Sequence, residues 1–179
     1  MLLYLFVACM CMFSIAYEYI VDYEKLELVY YDKGLVRDGY FLFRKYNRTN
    51  HYLNISFVLL KDLDGNKLEF TTSAYQFLSN QYKKTGIEVT YNVCEYWRKD
   101  IFGTASFIKK FGNLEGCDIK KGFYYLNNFM PDESQFPKFV PLGRYMIQMN
   151  VVRKSRAPLL KFQWFVTARF KLNNRVYGV

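Results

Sequence analysis

Few side chains in this sequence could do chemistry. There is one histidine, His51, and it lies in "HYLNISFVLL", where Leu53, Ile55, Phe57 and Leu59 share its parity. A strand directs successive side chains to opposite faces, so His51 belongs to an apolar row and reads as a packed or edge side chain rather than a base. No serine stands in a nucleophile-elbow context, no glycine-rich phosphate loop is present, and neither GxGxxG nor HExxH occurs. A glycosidase-type carboxylate pair needs no local motif, yet nothing in the sequence speaks for one. The expectation is a protein that is not an enzyme.

The cysteines are more informative. Cys9 and Cys11 fall in "MLLYLFVACMCMFSIA", whose apolar run from Leu2 to Ile15 is too short to span a bilayer and ends in small residues of the kind a signal peptidase reads. Lys25 is the first basic side chain, so only the amino terminus supplies positive charge ahead of the run. Residues 1–16 read as a secretory signal, and residues 17–179 as one mature domain. Cleavage after Ala16 leaves Cys94 and Cys117 as the cysteines of the mature chain. An even count in a secreted protein suggests a disulfide, worth about 3 kcal/mol for a loop of this size. Two buried free thiols are the alternative if the signal reading fails. Two cysteines and a distant histidine lack zinc spacing, so neither metal nor cofactor is expected.

Asn47-Arg48-Thr49 and Asn54-Ile55-Ser56 match the N-glycosylation pattern and point to the same extracellular compartment. Asn54 also sets a register: a glycan must reach water, so Leu53, Ile55, Phe57 and Leu59 should face inward.

Net charge is +9, which would permit nucleic-acid binding, but the basic residues are spread along the chain and no RNA-recognition signature occurs. Nucleic acid is not an expected partner. The densest basic cluster is Arg153 to Arg156 with Lys161 and Arg169; it could attract anionic headgroups or acidic partner surfaces, or simply be a solvated face. No stretch after the signal is apolar enough for a transmembrane helix.

The elements that must position these groups are mostly strands. Alternating segments recur around Leu26–Tyr30, "GYFLFRKY", "HYLNISFVLL", "KLEFTTSAYQF" and "GIEVTYNVC", separated by turns such as Asp32-Lys33-Gly34 and Asp64-Gly65-Asn66. Regularly spaced short strands argue for an all-β sandwich or barrel. Between Cys94 and Cys117 the period changes: Trp97, Ile101, Ala105, Ile108 and Phe111 recur at three- and four-residue steps, predicting one short amphipathic helix ended by Gly112-Asn113. Gly103 inside it could bend or break it. Near the C-terminus, "LLKFQWFVTARFKL" places Leu160, Phe162, Trp164, Val166, Ala168, Phe170 and Leu172 on one parity, with Lys161, Gln163, Thr167, Arg169 and Lys171 on the other. Tyr145, Ile147, Met149 and Val151 share a face of the preceding strand.

The ordered series "NRTNHYLNISFVLL", "AYQFLSNQYKKTGIEV", "NVCEYW", "GNLEGCDIKKGFYYLNN" and "VPLGRYMI" resembles a large insect family of small secreted proteins with a domain of unknown function. That family is related to the CheB gustatory proteins and, more distantly, to the ganglioside-activator and ML lipid-recognition proteins. The resemblance covers most of residues 35–170. It implies an immunoglobulin-like two-sheet antiparallel sandwich whose sheets part to hold a lipid or other hydrophobic ligand, in some members in pheromone response.

Under that reading the pocket wall comprises Leu53, Ile55, Phe57 and Leu59 from one sheet and Tyr145, Ile147 and Met149 from the other. Phe123 and the final strand's Phe162, Trp164 and Val166 complete it. The same residues could instead interdigitate as a filled core. The function expected is a secreted carrier of a lipid or small hydrophobic ligand. The alternative is an extracellular interaction module with a filled core, acting on a membrane receptor or channel.

Overall fold

The computed structural model describes residues 19–46, 51–130, 134, 136, 140–153 and 158–170. The signal segment, the Asn47 sequon and positions 154–156 of the basic cluster lie outside the described residues. Eight strands carry the fold: β1 (Tyr19–Tyr31), β2 (Val36–Lys45), β3 (His51–Leu59), β4 (Leu68–Leu78), β5 (Gln81–Asn92), β6 (Gly122–Phe129), β7 (Gly143–Arg153) and β8 (Pro158–Phe170). They form a five-stranded sheet in the order β1-β8-β7-β4-β5 and a three-stranded sheet in the order β2-β3-β6. Every pairing is antiparallel. Strand spacing left a sandwich or a barrel open; the chain is the two-sheet antiparallel sandwich that the family resemblance implies. Among the described residues no helix is long and apolar enough to cross a membrane.

The alternation of β8 survives in three dimensions. Phe162, Trp164 and Val166 lie beside Met149, Ile147 and Tyr145 of β7, and Phe162 stacks across the sandwich on Phe41 of β2, with ring centroids 5.6 Å apart. Its opposite parity faces out. There Arg169 pairs with Asp22, and Arg144 and Thr167 both donate to Glu24, at 2.8 and 2.6 Å. Phe165, which breaks the apolar-polar alternation, packs on this outer face against Tyr82 at 5.5 Å.

The segment predicted as one helix is two. Helix α1 (Val93–Arg98) and helix α2 (Thr104–Phe111) are separated by a 3₁₀ turn at Ile101–Gly103. Asp100 and Gly103 both adopt positive φ, 47° and 65°, which ends one helix before the next begins. Asn92 caps α1: its Oδ1 accepts from the backbone N–H groups of Cys94 (3.0 Å) and Glu95 (3.3 Å), satisfying donors that a helix start leaves free.

Cys94 and Cys117 are joined in a disulfide, which ties α1 to the loop ahead of β6. Gly65 makes this possible, because a Cβ there would lie 2.3 Å from the carbonyl oxygen of Cys117 and 2.9 Å from Sγ of Cys94. At the far end of α2, Gly112 is required for a similar reason, a Cβ meeting the Tyr125 carbonyl oxygen at 2.4 Å. The neighbouring Asn113 side chain bonds Phe123 O and Tyr125 N–H at 2.9 Å each. It thereby occupies the outer edge of β6, which would otherwise invite pairing.

Replacing both Cys94 and Cys117 with serine should lower unfolding free energy by about 3 kcal/mol. Gly65→Ala, which sets a methyl group against backbone that cannot swing aside, should cost about 1–3 kcal/mol with the disulfide intact. Denaturant unfolding of the purified variants measures both. A Gly65→Ala variant as stable as wild type would mean the loop is not held against the disulfide.

Candidate functional site

The two sheets are unequal, and the candidate site follows from that. Strands lie about 4.8 Å apart, so five span about 19 Å and three about 10 Å. Part of the inner face of the larger sheet therefore has no strand opposite it. Helices cover one stretch of that excess: Tyr96 of α1 packs on Phe70 of β4 and Tyr91 of β5, at 4.9 and 5.9 Å. On the other side, Phe107 and Phe111 of α2 meet Phe129 of β6 edge-on at 6.1 and 6.3 Å. Further along β5 this cover ends. Val89, paired with Thr72 of β4, is 41% exposed, and Ile87 is 63% exposed.

Register identifies the inner face. In the larger sheet, Tyr145, Ile147 and Met149 of β7 stand between Val166, Trp164 and Phe162 of β8 and Gln76, Ala74 and Thr72 of β4. In the smaller sheet, Leu53 and Ile55 stand beside Phe43 and Phe41 of β2. Ile55 and Phe57 also pair with Leu126 and Tyr124 of β6, the Phe57 and Tyr124 rings lying 5.7 Å apart.

Burial is concentrated at the ends of this space. Leu35, Leu68 and Leu159 form a buried cluster with Leu63, Val93 and Val151 packed on it. Leu53, Leu59 and Tyr145 are buried too. Between the ends, Ile55, Phe57, Ile147, Met149, Phe162, Trp164 and Val166 are only partly buried. No large side chain among the described residues is fully buried. In a sandwich filled to the usual density, such inward side chains would be closed over.

Apart from Phe123, the residues expected on the wall thus lie on inner-face positions. Phe123 pairs with Val58, which has the parity opposite to Phe57 and the rest of the inner row, and it is 58% exposed on the outer face. The reading fails at Phe123 because "GFYYLNNF" carries apolar residues on both parities, so periodicity could not choose a face; Tyr124 and Leu126 take the inner places. Thr72, Ala74 and Gln76 were also missed, being small or polar. The signal for them was the same two-residue alternation in "LEFTTSAYQF", which runs through these positions.

His51 is 7% exposed. Its ring stacks on Phe43 at 5.1 Å and meets Tyr23 edge-on at 6.0 Å, and Tyr23 in turn stacks on Trp164 at 5.2 Å. Neither His51 Nδ1 nor Trp164 Nε1 has a hydrogen-bond partner among the described residues. Burial, reinforced by the Lys45 charge and partly opposed by Asp22, pushes the His51 pKa down. Burial thus favours the neutral ring, whose ring contacts among the described residues are the aromatic Phe43 and Tyr23.

A polar groove of about 420 Å³ is lined by Asp62, Leu63, Asp64, Asn66, Asp118 and Lys120. Two of its three carboxylates are already engaged. Asp62 accepts the Lys121 backbone N–H at 2.7 Å and pairs with Lys120, while Asp64 pairs with Lys67 and accepts the Asn66 N–H. Asp118 lies near Cys94 and Cys117, but with both sulfurs in the disulfide neither cysteine offers a thiolate to a metal.

A family model described as a protein of unknown function (DUF1091) matches residues 68–147, from β4 into β7. No curated protein matches the sequence. Among solved structures, that of chicken MD-1 complexed with lipid IVa is similar at a TM-score of 0.37 and 12% identity, covering 84% of this chain and 98% of that one.

The His51 environment has a pH signature. Because the folded pKa is depressed, the unfolded chain binds more protons than the folded one as pH falls through about 6.5, and stability declines across that window. Glu24, whose carboxyl is held low chiefly by its hydrogen bond from Arg144, contributes a loss only at more acid pH. Unfolding free energy of wild type should therefore fall between about pH 7 and pH 5, and that of His51→Phe should fall less. Parallel profiles would show that His51 is not held neutral.

Proposed function

We propose that this is an extracellular, non-enzymatic binding protein that takes the apolar part of a lipid or other small hydrophobic ligand between its two sheets. The observation that carries the reading is the incomplete burial of the inward apolar side chains from Ile55 and Phe57 across to Met149, Phe162 and Trp164. Such surface is costly to leave in water, at about 25 cal/mol per Å². An apolar ligand removes it from water without rearranging either sheet, as concave apolar sites generally do.

The row of Thr72 and Ala74 adds to this reading, because small side chains leave room where Ile147 and Met149 stand beside them. Ligand access is assigned to the uncovered stretch of β5 at Ile87 and Val89. Lys83, exposed and paired in register with Gln76 of the inner row, is placed to receive an acidic headgroup at that rim. The disulfide fits an oxidising compartment. The resemblance to chemosensory secreted proteins supplies the biological setting we propose, delivery of such a ligand to a membrane receptor or channel.

The test is native mass spectrometry of the secreted protein, with organic extraction and reloading from a mixed lipid panel. Wild type should carry or take up lipid. Ala74→Trp, which fills the space beside Ile147, should lose affinity by roughly tenfold or more, about 1.4 kcal/mol, while unfolding cooperatively. A protein that is empty as purified and takes up nothing from the panel would refute the reading.

A further inference from the structure

The outer face of the three-stranded sheet is as aromatic as an interior. Tyr40, Phe123 and Tyr125 are 51%, 58% and 39% exposed. Tyr40 and Tyr125 flank Ser56 of the central strand in direct register, and Phe123 flanks Val58. Phe123 and Tyr125 lie 6.2 Å apart with their rings tilted by 32°. Rings left open to water in this number ordinarily mark a contact surface.

One occupant is encoded within the face itself. Tyr52, Asn54 and Ser56 alternate along β3, so they lie side by side on the outer surface, and Asn54-Ile55-Ser56 is a glycosylation sequon. Asn54 Oδ1 accepts the backbone N–H of Asn128 at 2.6 Å. Its Nδ2 makes no hydrogen bond among the described residues. The bond to Asn128 thus fixes the amide by its oxygen and leaves the nitrogen, the atom that carries a glycan, available. Glycosylation would not disturb that bond.

We infer that Asn54 is a glycosylated residue whose first N-acetylglucosamine lies against Tyr125, which flanks Ser56 two residues along the same face, and shields that ring from water. The covalent step joins Nδ2 to the anomeric carbon of a lipid-diphosphate-linked oligosaccharide in the secretory pathway. The bond from that carbon to the diphosphate breaks, the diphosphate leaves with the electron pair, and Nδ2 gives up one proton. The acetyl methyl and the C–H face of the sugar then meet the electron-rich ring face. This rests on passage through the secretory pathway and is independent of any ligand between the sheets.

The experiment uses the secreted chain in an Asn47→Gln background, so that Asn54 alone reports. Intact mass before and after enzymatic deglycosylation should show one glycan. Trimming to a single N-acetylglucosamine should keep the melting temperature, whereas full removal should lower it by roughly 2–4 °C. In Phe123→Ser/Tyr125→Ser, removal should change it little. In the trimmed protein the acetyl methyl proton signal should be shifted upfield by the ring, and return to its free position in the double variant. An unmodified Asn54, or a methyl signal at its free position with removal equally costly in both proteins, would overturn the proposal. So would a concentration-dependent dimer of the glycosylated protein that the same double substitution abolishes.

Discussion

The mismatch between a five-stranded and a three-stranded sheet governs the rest of this molecule. A sandwich closes its core when both inner faces are matched in breadth, because each side chain then finds an opposing one within contact distance. Here the larger sheet extends beyond its partner by roughly 10 Å. The chain handles the excess with helices, a disulfide and a few aromatic clusters rather than with further strands. Where these stop, at Ile87 and Val89 of β5, apolar side chains remain in water.

Two kinds of contact hold the sheets in this relation. On one side, Phe41 on Phe162 and His51 between Phe43 and Tyr23 set the separation with stiff rings, which fill space with few rotatable bonds. On the other, α1 and α2 reach from β4 and β5 to β6, fixed by Cys94–Cys117 and by the close approach of Gly112 to Tyr125.

Polar groups are arranged consistently with this division. The outer face of the larger sheet is laced with ion pairs such as Arg144 with Glu24 and Arg169 with Asp22. These are exposed, so their contribution to stability is small, but they keep that face in water. The outer face of the smaller sheet carries Tyr40, Phe123 and Tyr125 instead. The two exteriors thus differ in chemistry although both belong to antiparallel sheets of one sandwich.

The amino-acid sequence by itself determined the strands, the inward parity of β3, β7 and β8, the change of period between Cys94 and Cys117, and the pairing of those two cysteines. These are local or nearly local matters: alternation, turn residues and cysteine count each act over a few residues or through a simple tally. It did not determine the face of Phe123, since β6 is apolar on both parities and only its register with Val58 decides. Nor did it reveal Thr72 and Ala74, whose importance lies in being small beside large neighbours from another strand. The break between α1 and α2 was foreshadowed by Gly103, but the left-handed turn at Asp100 was not. Nor did it show that five strands would join one sheet and three the other. Strand pairing joins residues far apart in sequence, so only the tertiary structure decided it.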